Sequence, residues 1–244
     1  MKIIAHRGAS GEFPENSLLA FEQAILQKAD GIELDVHFHD ESKQFIVLHD
    51  FYLDKSTNGQ GHYNQHSIAE LTQLSIGQEQ LLITLSHALT IIAGRALVNI
   101  ELKTISSDID IINTQLFALK SIINNAIKND GFSSHQFVLS SFNHHILFHS
   151  AKIIPEIATA ALIAHNPLDY ACIAKDLKCF AINPAIDCLD QALIEDAHQR
   201  GLEVWVYTVD RIEEIELCQQ LKVDAIFTNF PKNVRNYLSN CKDS

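Results

Sequence analysis

The sequence predicts an α/β protein of the (β/α)8 TIM-barrel class, on the strength of three observations. The chain has 244 residues, a length that suits one barrel domain. Eight short runs of β-type residues recur along it, and helical stretches separate most of them. Strands that alternate with helices form a parallel sheet, and eight such units in a chain of this length fit a closed barrel.

Each predicted strand is a short apolar run bounded by polar or turn-forming residues. The runs cover residues 2–6, 31–36, 96–102, 136–140, 158–163, 179–183, 203–208 and 224–228. A doubly wound open sheet is the alternative architecture. Because no Gly-x-Gly-x-x-Gly motif follows a predicted strand, the sequence favours the barrel.

The stretches between the strands have helical patterns. Asn16 is a good N-cap residue, and the apolar side chains of residues 17–28 share one stripe, so a helix is expected there. Pro231 suits the first turn of a last helix that extends to about residue 238. The other predicted helices cover residues 83–93, 108–129, 189–200 and 211–221.

Residues 38–80 interrupt the alternation of strands and helices. They contain a predicted turn at 39–43, a returning strand at 45–50, a turn cluster at 58–61 and a short helix at 68–74. We therefore expect one barrel domain, residues 1–244, with residues 38–80 as an inserted subdomain after strand two. Long insertions at that end of a barrel usually shape the substrate pocket.

Composition restricts the classes of function. The net charge of −12 argues against binding to nucleic acid or to an anionic membrane. No apolar run reaches 18 residues and no signal-peptide core is present, so we expect a soluble cytoplasmic protein without a membrane span. The oligomeric state stays open. The five cysteines form no Cys-x-x-Cys pair and are expected to be free thiols: Cys172, Cys179, Cys188, Cys218 and Cys241.

Carboxylates at the ends of two predicted strands indicate a metal site. Glu33 and Asp35 are two residues apart, so both point to one face of their strand, and Glu101 ends another strand. The carboxyl ends of barrel strands form the active site. Three carboxylates that converge there repel one another unless a cation lies among them, and Mg²⁺ or Ca²⁺ prefers such oxygen ligands.

The remaining polar groups suit a phosphodiester. Arg7 and Lys103 are cationic donors for phosphate oxygens. His6, at the end of strand one, and His49, at the end of the inserted strand, titrate near neutrality and can act as general acid and base. A metal, two cationic phosphate-binding side chains and two histidines together predict phosphodiester hydrolysis.

Motifs along the whole chain resemble those of the glycerophosphodiester phosphodiesterase family, in its bacterial cytoplasmic form. The matching segments are HRG at 6–8, PENS at 14–17, ELDV at 33–36, VLHD at 47–50, NIELK at 99–103, LSSF at 139–142, WVYTV at 205–209 and DAIFTNFP at 224–231. The sequence departs from the family pattern at Ser17, where Thr is usual, at Asp210, where Asn is frequent, and at Asn229, where Asp is frequent.

The resemblance implies a barrel that cleaves glycerophosphodiesters to sn-glycerol 3-phosphate and an alcohol. It implies acid–base roles for His6 and His49 and phosphate binding by Arg7 and Lys103. Metal ligation falls on the three carboxylates Glu33, Asp35 and Glu101. A lysophospholipase D-like or phospholipase C-like phosphodiesterase is an alternative, as is a barrel that only binds its ligand.

Several other polar or aromatic residues have two interpretations. Trp205 is predicted to bind substrate at the mouth, with a place in the barrel core as the alternative. Ser140 and Asn183 are expected to line the pocket. His37 and His39 are expected to be solvated or packed against the insertion rather than to bind metal.

Overall fold

The computed structural model describes residues 1–77 and 79–240. Cys241 lies outside the described residues. Nine strands form within the described residues. The strands are β1 (Lys2–Ala5), β2 (Gly31–His39), β3 (Gln44–Val47), β4 (Leu97–Leu102), β5 (Phe137–Ser141), β6 (Ala158–Ile163), β7 (Ala181–Pro184), β8 (Glu203–Val206) and β9 (Ala225–Thr228).

Eight of these strands close into a parallel barrel, which confirms the predicted fold class. The order around the ring is β1, β9, β8, β7, β6, β5, β4 and β2, and β1 pairs with β2 to close it. Pairing between β2 and β4 sets Asp35 opposite Glu101, and pairing between β4 and β5 sets Glu101 opposite Ser140. The register therefore brings polar side chains to one level at the carboxyl ends of adjacent strands.

The helices in the described residues are α1 (Leu18–Leu26), α2 (Ile68–Leu71), α3 (Leu85–Ile92), α4 (Ile109–Asn129), α5 (His144–Ile153), α6 (Cys172–Asp176), α7 (Gln191–Gln199), α8 (Ile212–Gln220) and α9 (Pro231–Asn240). Neither the ten-residue α5 nor the five-residue α6 was among the predicted helices. None of these helices is long and apolar enough to cross a bilayer. The four cysteines in this part of the chain are free thiols.

Residue Asn16 is not the N-cap of α1, contrary to the prediction. Ser17 caps the helix, because its hydroxyl accepts a hydrogen bond from the Ala20 main-chain N–H at 3.1 Å. Asn16 adopts a positive φ of 56° and turns its amide toward β2. There it donates to Asp35 Oδ2 at 2.9 Å, so the residue holds the site rather than the helix.

Apolar side chains form the core on both sides of the barrel wall. Between strands and helices, β2 and β4 pack against α1, α3 and α4, with Phe21, Leu34 and Ile100 fully buried. Inside the barrel, Ile4, Trp205 and Phe227 fill the interior. These layers hold the strand ends that carry the polar residues.

The chain between β2 and α3 contributes a strand of its own. β3 runs antiparallel to the far end of β2, with Val36 opposite Val47 and His39 opposite Gln44. β2 therefore extends to His39, beyond the predicted end at residue 36. The segment encloses a separate small apolar cluster, which includes Ile46, Leu48, Leu53, Tyr63, Leu71, Ile76 and Leu82.

Two glycines with positive φ provide a matched test of the contact between the loops at Gly94 and Gly131. Gly94 has φ +66°, and a Cβ there would overlap the main chain of Gly131. Gly201 has φ +76°, and a Cβ there meets no atom within 4 Å. Gly201→Ala should lower the free energy of unfolding by about 1 kcal/mol, the cost of a left-handed alanine. Gly94→Ala should lower it by at least twice as much, because the backbone must also move.

Urea denaturation followed by circular dichroism measures both values. Equal losses in the two variants would contradict a close contact between the loops at Gly94 and Gly131.

Candidate active site

Three buried carboxylates lie together at the carboxyl ends of β2 and β4. Glu33 and Asp35 point to the same side of β2, and Glu101 is the register partner of Asp35 on β4. All three residues are at least nine-tenths buried. One oxygen from each lies within 4.8 Å of the other two. The spacing read from the sequence thus produces a compact oxygen-lined cluster.

Two cations contact this cluster directly. Arg7 Nε lies 3.2 Å from Asp35 Oδ2, and Lys103 Nζ lies 3.0 Å from Asp35 Oδ1 and 2.5 Å from Glu101 Oε1. The main-chain N–H of Arg7 donates to Glu33 Oε2 at 2.8 Å. Arg7 has a positive φ of 57°, which directs this N–H into the cluster. The structure therefore brings both predicted phosphate-binding residues to the carboxylates.

Asp35 is stabilised as an anion, whereas Glu33 and Glu101 are harder to ionise than an ordinary glutamate. Burial acts to raise the pKa of Asp35, but Lys103 and Arg7 outweigh it and lower the value to about 2. Burial, followed by the charge of Asp35, raises the pKa of Glu101 to about 7 and raises the pKa of Glu33 well above its usual range. The two cations alone do not neutralise the cluster.

The two candidate acid–base histidines lie on separate elements. His6 follows β1, and its Nδ1–H donates to Asn229 Oδ1 at 2.8 Å. Burial and then the charge of Arg7 lower the His6 pKa to about 4. His49 follows β3, and its Nδ1 lies 3.4 Å from Asp50 Oδ1. Burial also lowers the His49 pKa.

A small cavity opens beside the carboxylates. Its lining residues are His6, Glu33, Asn99, Glu101, Ser140, Leu162, Tyr207 and Phe227. Wider clefts lie elsewhere on the surface, such as the one between α7 and α8. We place the site at the smaller cavity, because the ionisable groups with strongly shifted pKa values meet there.

Trp205 is not brought to this cavity. Its side chain is fully buried, and its Nε1–H donates to Glu203 Oε2 at 2.7 Å, at the start of β8. Lys2 Nζ, at the start of β1, lies 5.4 Å from its ring centre. Trp205 therefore belongs to the amino end of the barrel, in the core position that was the alternative. The aromatic rings of Tyr207 and Phe227 line the cavity instead, and sequence reasoning singled out neither residue.

The remaining polar residues considered in the sequence are Ser140, Asn183, His37 and His39. Ser140 lines the cavity and accepts a hydrogen bond from Asn99 Nδ2 at 2.8 Å. Asn183 is fully buried, and its amide has no hydrogen bond within residues 1–77 and 79–240. His37 and His39 are buried rather than solvated and pack against the segment after β2. The His37 Nε2–H donates to the His49 carbonyl at 3.0 Å.

A closed parallel barrel whose ionisable groups gather at the carboxyl ends of its strands has the architecture of a TIM-barrel enzyme. The sequence profile of the Glycerophosphoryl diester phosphodiesterase family matches residues 6–233. The chain therefore belongs to this family of enzymes, and both the resemblance and the predicted enzyme class are confirmed.

Individual relatives match over nearly their whole length. A glycerophosphodiester phosphodiesterase from Caldanaerobacter subterraneus subsp. tengcongensis is 30% identical over 243 residues, which cover 96% of each chain. One from Bacillus altitudinis is 30% identical over 94% of this chain and 95% of its own. A solved Oleispira antarctica phosphodiesterase in complex with the product sn-glycerol-3-phosphate superposes with a TM-score of 0.88 at 25% identity. That superposition covers 98% of this chain and 97% of the other.

The raised pKa of Glu101 predicts a pH-dependent stability in metal-free buffer. The folded value of about 7 lies above the value of about 4.3 expected in the unfolded chain. Between these values the folded state keeps a proton that the unfolded state releases, so this carboxyl lowers stability as the pH rises. Glu101→Gln removes that dependence. The variant should therefore gain stability relative to the wild type between pH 5 and pH 8.

Urea denaturation in the presence of a chelator measures this difference at each pH. A difference that stays constant from pH 5 to pH 8 would contradict the raised pKa.

Proposed function

We propose that the protein hydrolyses glycerophosphodiesters to sn-glycerol 3-phosphate and an alcohol, using a divalent metal and the pair His6 and His49. The observation that carries this proposal is the convergence of Glu33, Asp35 and Glu101 beside His6 at one barrel mouth. The Oleispira antarctica relative binds sn-glycerol-3-phosphate, which supports the same product here. The cluster supplies sites for a metal, for an anion and for proton transfer.

The residues present fit a hard divalent cation. Glu33 Oε1 is buried and has no hydrogen-bond partner in the described part of the chain. Burial, followed by the charge of Asp35, raises the pKa values of Glu33 and Glu101, so a cation bound among the three carboxylates would favour their ionised forms. Carboxylate oxygens suit Mg²⁺ or Ca²⁺. Glu33, Asp35 and Glu101 would hold the ion, which would stabilise negative charge on the phosphoryl oxygens.

Arg7 and Lys103 are proposed to bind the phosphate group. Both lie at the edge of the carboxylate cluster and keep partial exposure, 18% and 14% of their side chains. The planar guanidinium of Arg7 offers paired N–H donors, and Lys103 offers a compact charge. Their contacts with Asp35 hold both cations where a phosphodiester would enter.

The histidines are proposed to move the protons. Since His6 follows β1 and His49 follows β3, they can lie on opposite sides of one phosphorus atom. One removes the proton from the attacking oxygen, and the other donates a proton to the departing alkoxide. Two groups can do this in one transition state, whereas a single group would act twice in sequence.

Residues 38–80 are proposed to form an inserted subdomain that selects the alcohol or glycerol end of the substrate. They carry His49 and surround a small apolar cluster separate from the barrel core. Hydrogen bonds from Val47 N–H to the Ile83 carbonyl and from Leu48 N–H to the Asp35 carbonyl fasten the start of the segment to the barrel. The remainder can therefore shape the pocket without forming the barrel wall.

The metal site predicts a metal-dependent gain in stability. Chelated wild-type protein should lack activity on glycerophosphocholine, and Mg²⁺ or Ca²⁺ should restore it and raise the Tm. Glu33→Gln should abolish both responses, because it removes one ligand oxygen and its charge. Glu22→Gln is the matched control, since Glu22 pairs with Arg95 on the outer surface.

Differential scanning fluorimetry and a phosphodiesterase assay provide the two measurements. Full activity of the chelated wild type, or an unchanged metal response in Glu33→Gln, would contradict the proposal.

The acid–base pair predicts different responses to a better leaving group. His6→Ala and His49→Ala should each lower kcat by about 10²- to 10⁴-fold on glycerophosphocholine. The double variant should lose much less than the product of these factors. A nitrophenyl ester releases nitrophenolate, which departs without protonation. On this substrate, only the variant that lacks the general acid should therefore recover its kcat. His145→Ala, at an exposed position on α5, is the control.

Steady-state kinetics on both substrates measure these effects. Equal recovery of both variants, or wild-type rates in either, would refute the paired mechanism. Product analysis with lysophosphatidylcholine as a further substrate separates the alternatives, since a lysophospholipase D-like enzyme releases lysophosphatidic acid from it and a phospholipase C-like enzyme can release a cyclic phosphate.

A further inference from the structure

Asp210 and Asn229, the two rim positions at which the sequence departs from the family pattern, contact each other beside His6. Asn229 Nδ2 donates to Asp210 Oδ2 at 2.6 Å. On its other side, Asn229 Oδ1 accepts the Nδ1–H of His6 at 2.8 Å. The amide therefore links a carboxylate on the loop after β8 to the imidazole after β1.

The surrounding hydrogen bonds fix the orientation of the Asn229 amide. Asp210 Oδ1 accepts from the Asn229 main-chain N–H at 2.8 Å and from the Thr228 hydroxyl at 2.9 Å. The carboxylate thus acts as an acceptor on both oxygens, so the NH₂ group of Asn229 must face it. Oδ1 must then face His6, with the Ser10 hydroxyl a further 2.8 Å contact.

An amide oxygen carries no proton, so the nitrogen that contacts it must supply one. In neutral His6 that nitrogen is Nδ1, and Nε2 keeps its lone pair. His6 lines the cavity beside Glu33 and Glu101. The chain of contacts from Asp210 to His6 therefore selects one tautomer and one ring orientation at the site.

We propose that Asp210 is a positioning residue that acts through Asn229 to hold His6 as the Nδ1–H tautomer required for proton transfer at Nε2. The expected effect on turnover rests on the proposed function. The tautomer itself does not depend on which substrate is hydrolysed.

The isosteric variant Asp210→Asn tests the proposal. The new amide keeps an oxygen for the Asn229 main-chain N–H and the Thr228 hydroxyl, so its NH₂ group replaces Oδ2. Two NH₂ groups cannot face each other in a hydrogen bond, and Asn229 must therefore rotate. Its NH₂ group then faces His6, and Nδ1 becomes an acceptor. His6 should change to the Nε2–H tautomer, and kcat should fall about 10- to 100-fold with little change in KM.

The reciprocal double variant Asp210→Asn/Asn229→Asp should restore both properties. The amide at position 210 donates to the carboxylate at position 229, which again accepts the Nδ1–H of His6. Because the exchange also restores the bond between the two loops, the tautomer of His6 is the readout that separates positioning from loop stability.

Two controls separate positioning from stability. Glu214→Gln removes a carboxylate that accepts the Asp210 and Arg211 main-chain N–H groups but does not contact Asn229. Thr228→Val removes the hydroxyl bond to Asp210, which lowers stability, and leaves the contact between Asp210 and Asn229 in place. Both variants should retain the Nδ1–H tautomer and most of the wild-type kcat.

Imidazole ¹⁵N chemical shifts in the full-length protein report the tautomer, with the His6 signals assigned by comparison with His6→Gln. Steady-state kinetics on glycerophosphocholine report turnover. The proposal is overturned if Asp210→Asn keeps the Nδ1–H tautomer, if the double variant is no better than Asp210→Asn, or if Thr228→Val loses kcat to the same extent. If the wild type does not hydrolyse glycerophosphocholine, the proposed function fails, while the ¹⁵N shifts still decide the tautomer.

Discussion

Repulsion among three buried carboxylates is the constraint on which the site depends. Glu33, Asp35 and Glu101 meet where water cannot screen them, so their charge must be balanced by fixed neighbours. Arg7 and Lys103 stabilise Asp35 but leave Glu33 and Glu101 hard to ionise. The left-handed main chain of Arg7 is part of the same network, because its N–H donates a hydrogen bond to Glu33 Oε2. Conformation, burial and charge at the mouth are therefore linked.

Much of the fold could be predicted because each barrel strand is a short apolar run next to a helical stripe. Residues 158–163 form β6 as predicted. The sequence pattern was less informative where contacts between distant parts of the chain determine the bounds of an element. β2 continues to His39 because β3 pairs with it, a contact distant from the local pattern. The helix α6 has only five residues, which is too short for a stripe to show.

The carboxylates of the site could be predicted because alternation along a strand determines which side a residue faces. Alternation does not determine height along the barrel axis. Trp205 lies in β8 only two residues before Tyr207, yet its ring reaches the amino end of the strand and donates a hydrogen bond to Glu203. The pairing of Asp210 with Asn229 depends on two loops meeting, and only the two departures from the family pattern pointed to it.

The bond from the His37 ring to the His49 carbonyl has a consequence for the diversification of specificity. The main chain of His49 is held from β2, the strand that also carries Glu33 and Asp35, while its ring contacts Asp50. The chain beyond Asp50 folds over its own apolar cluster and rejoins the barrel before α3. Under the roles proposed for His49 and residues 38–80, an exchange of this loop between homologous chains would alter the surface near the substrate while the main chain of His49 keeps its place. Recombination at these two junctions would then change headgroup preference without rebuilding the barrel.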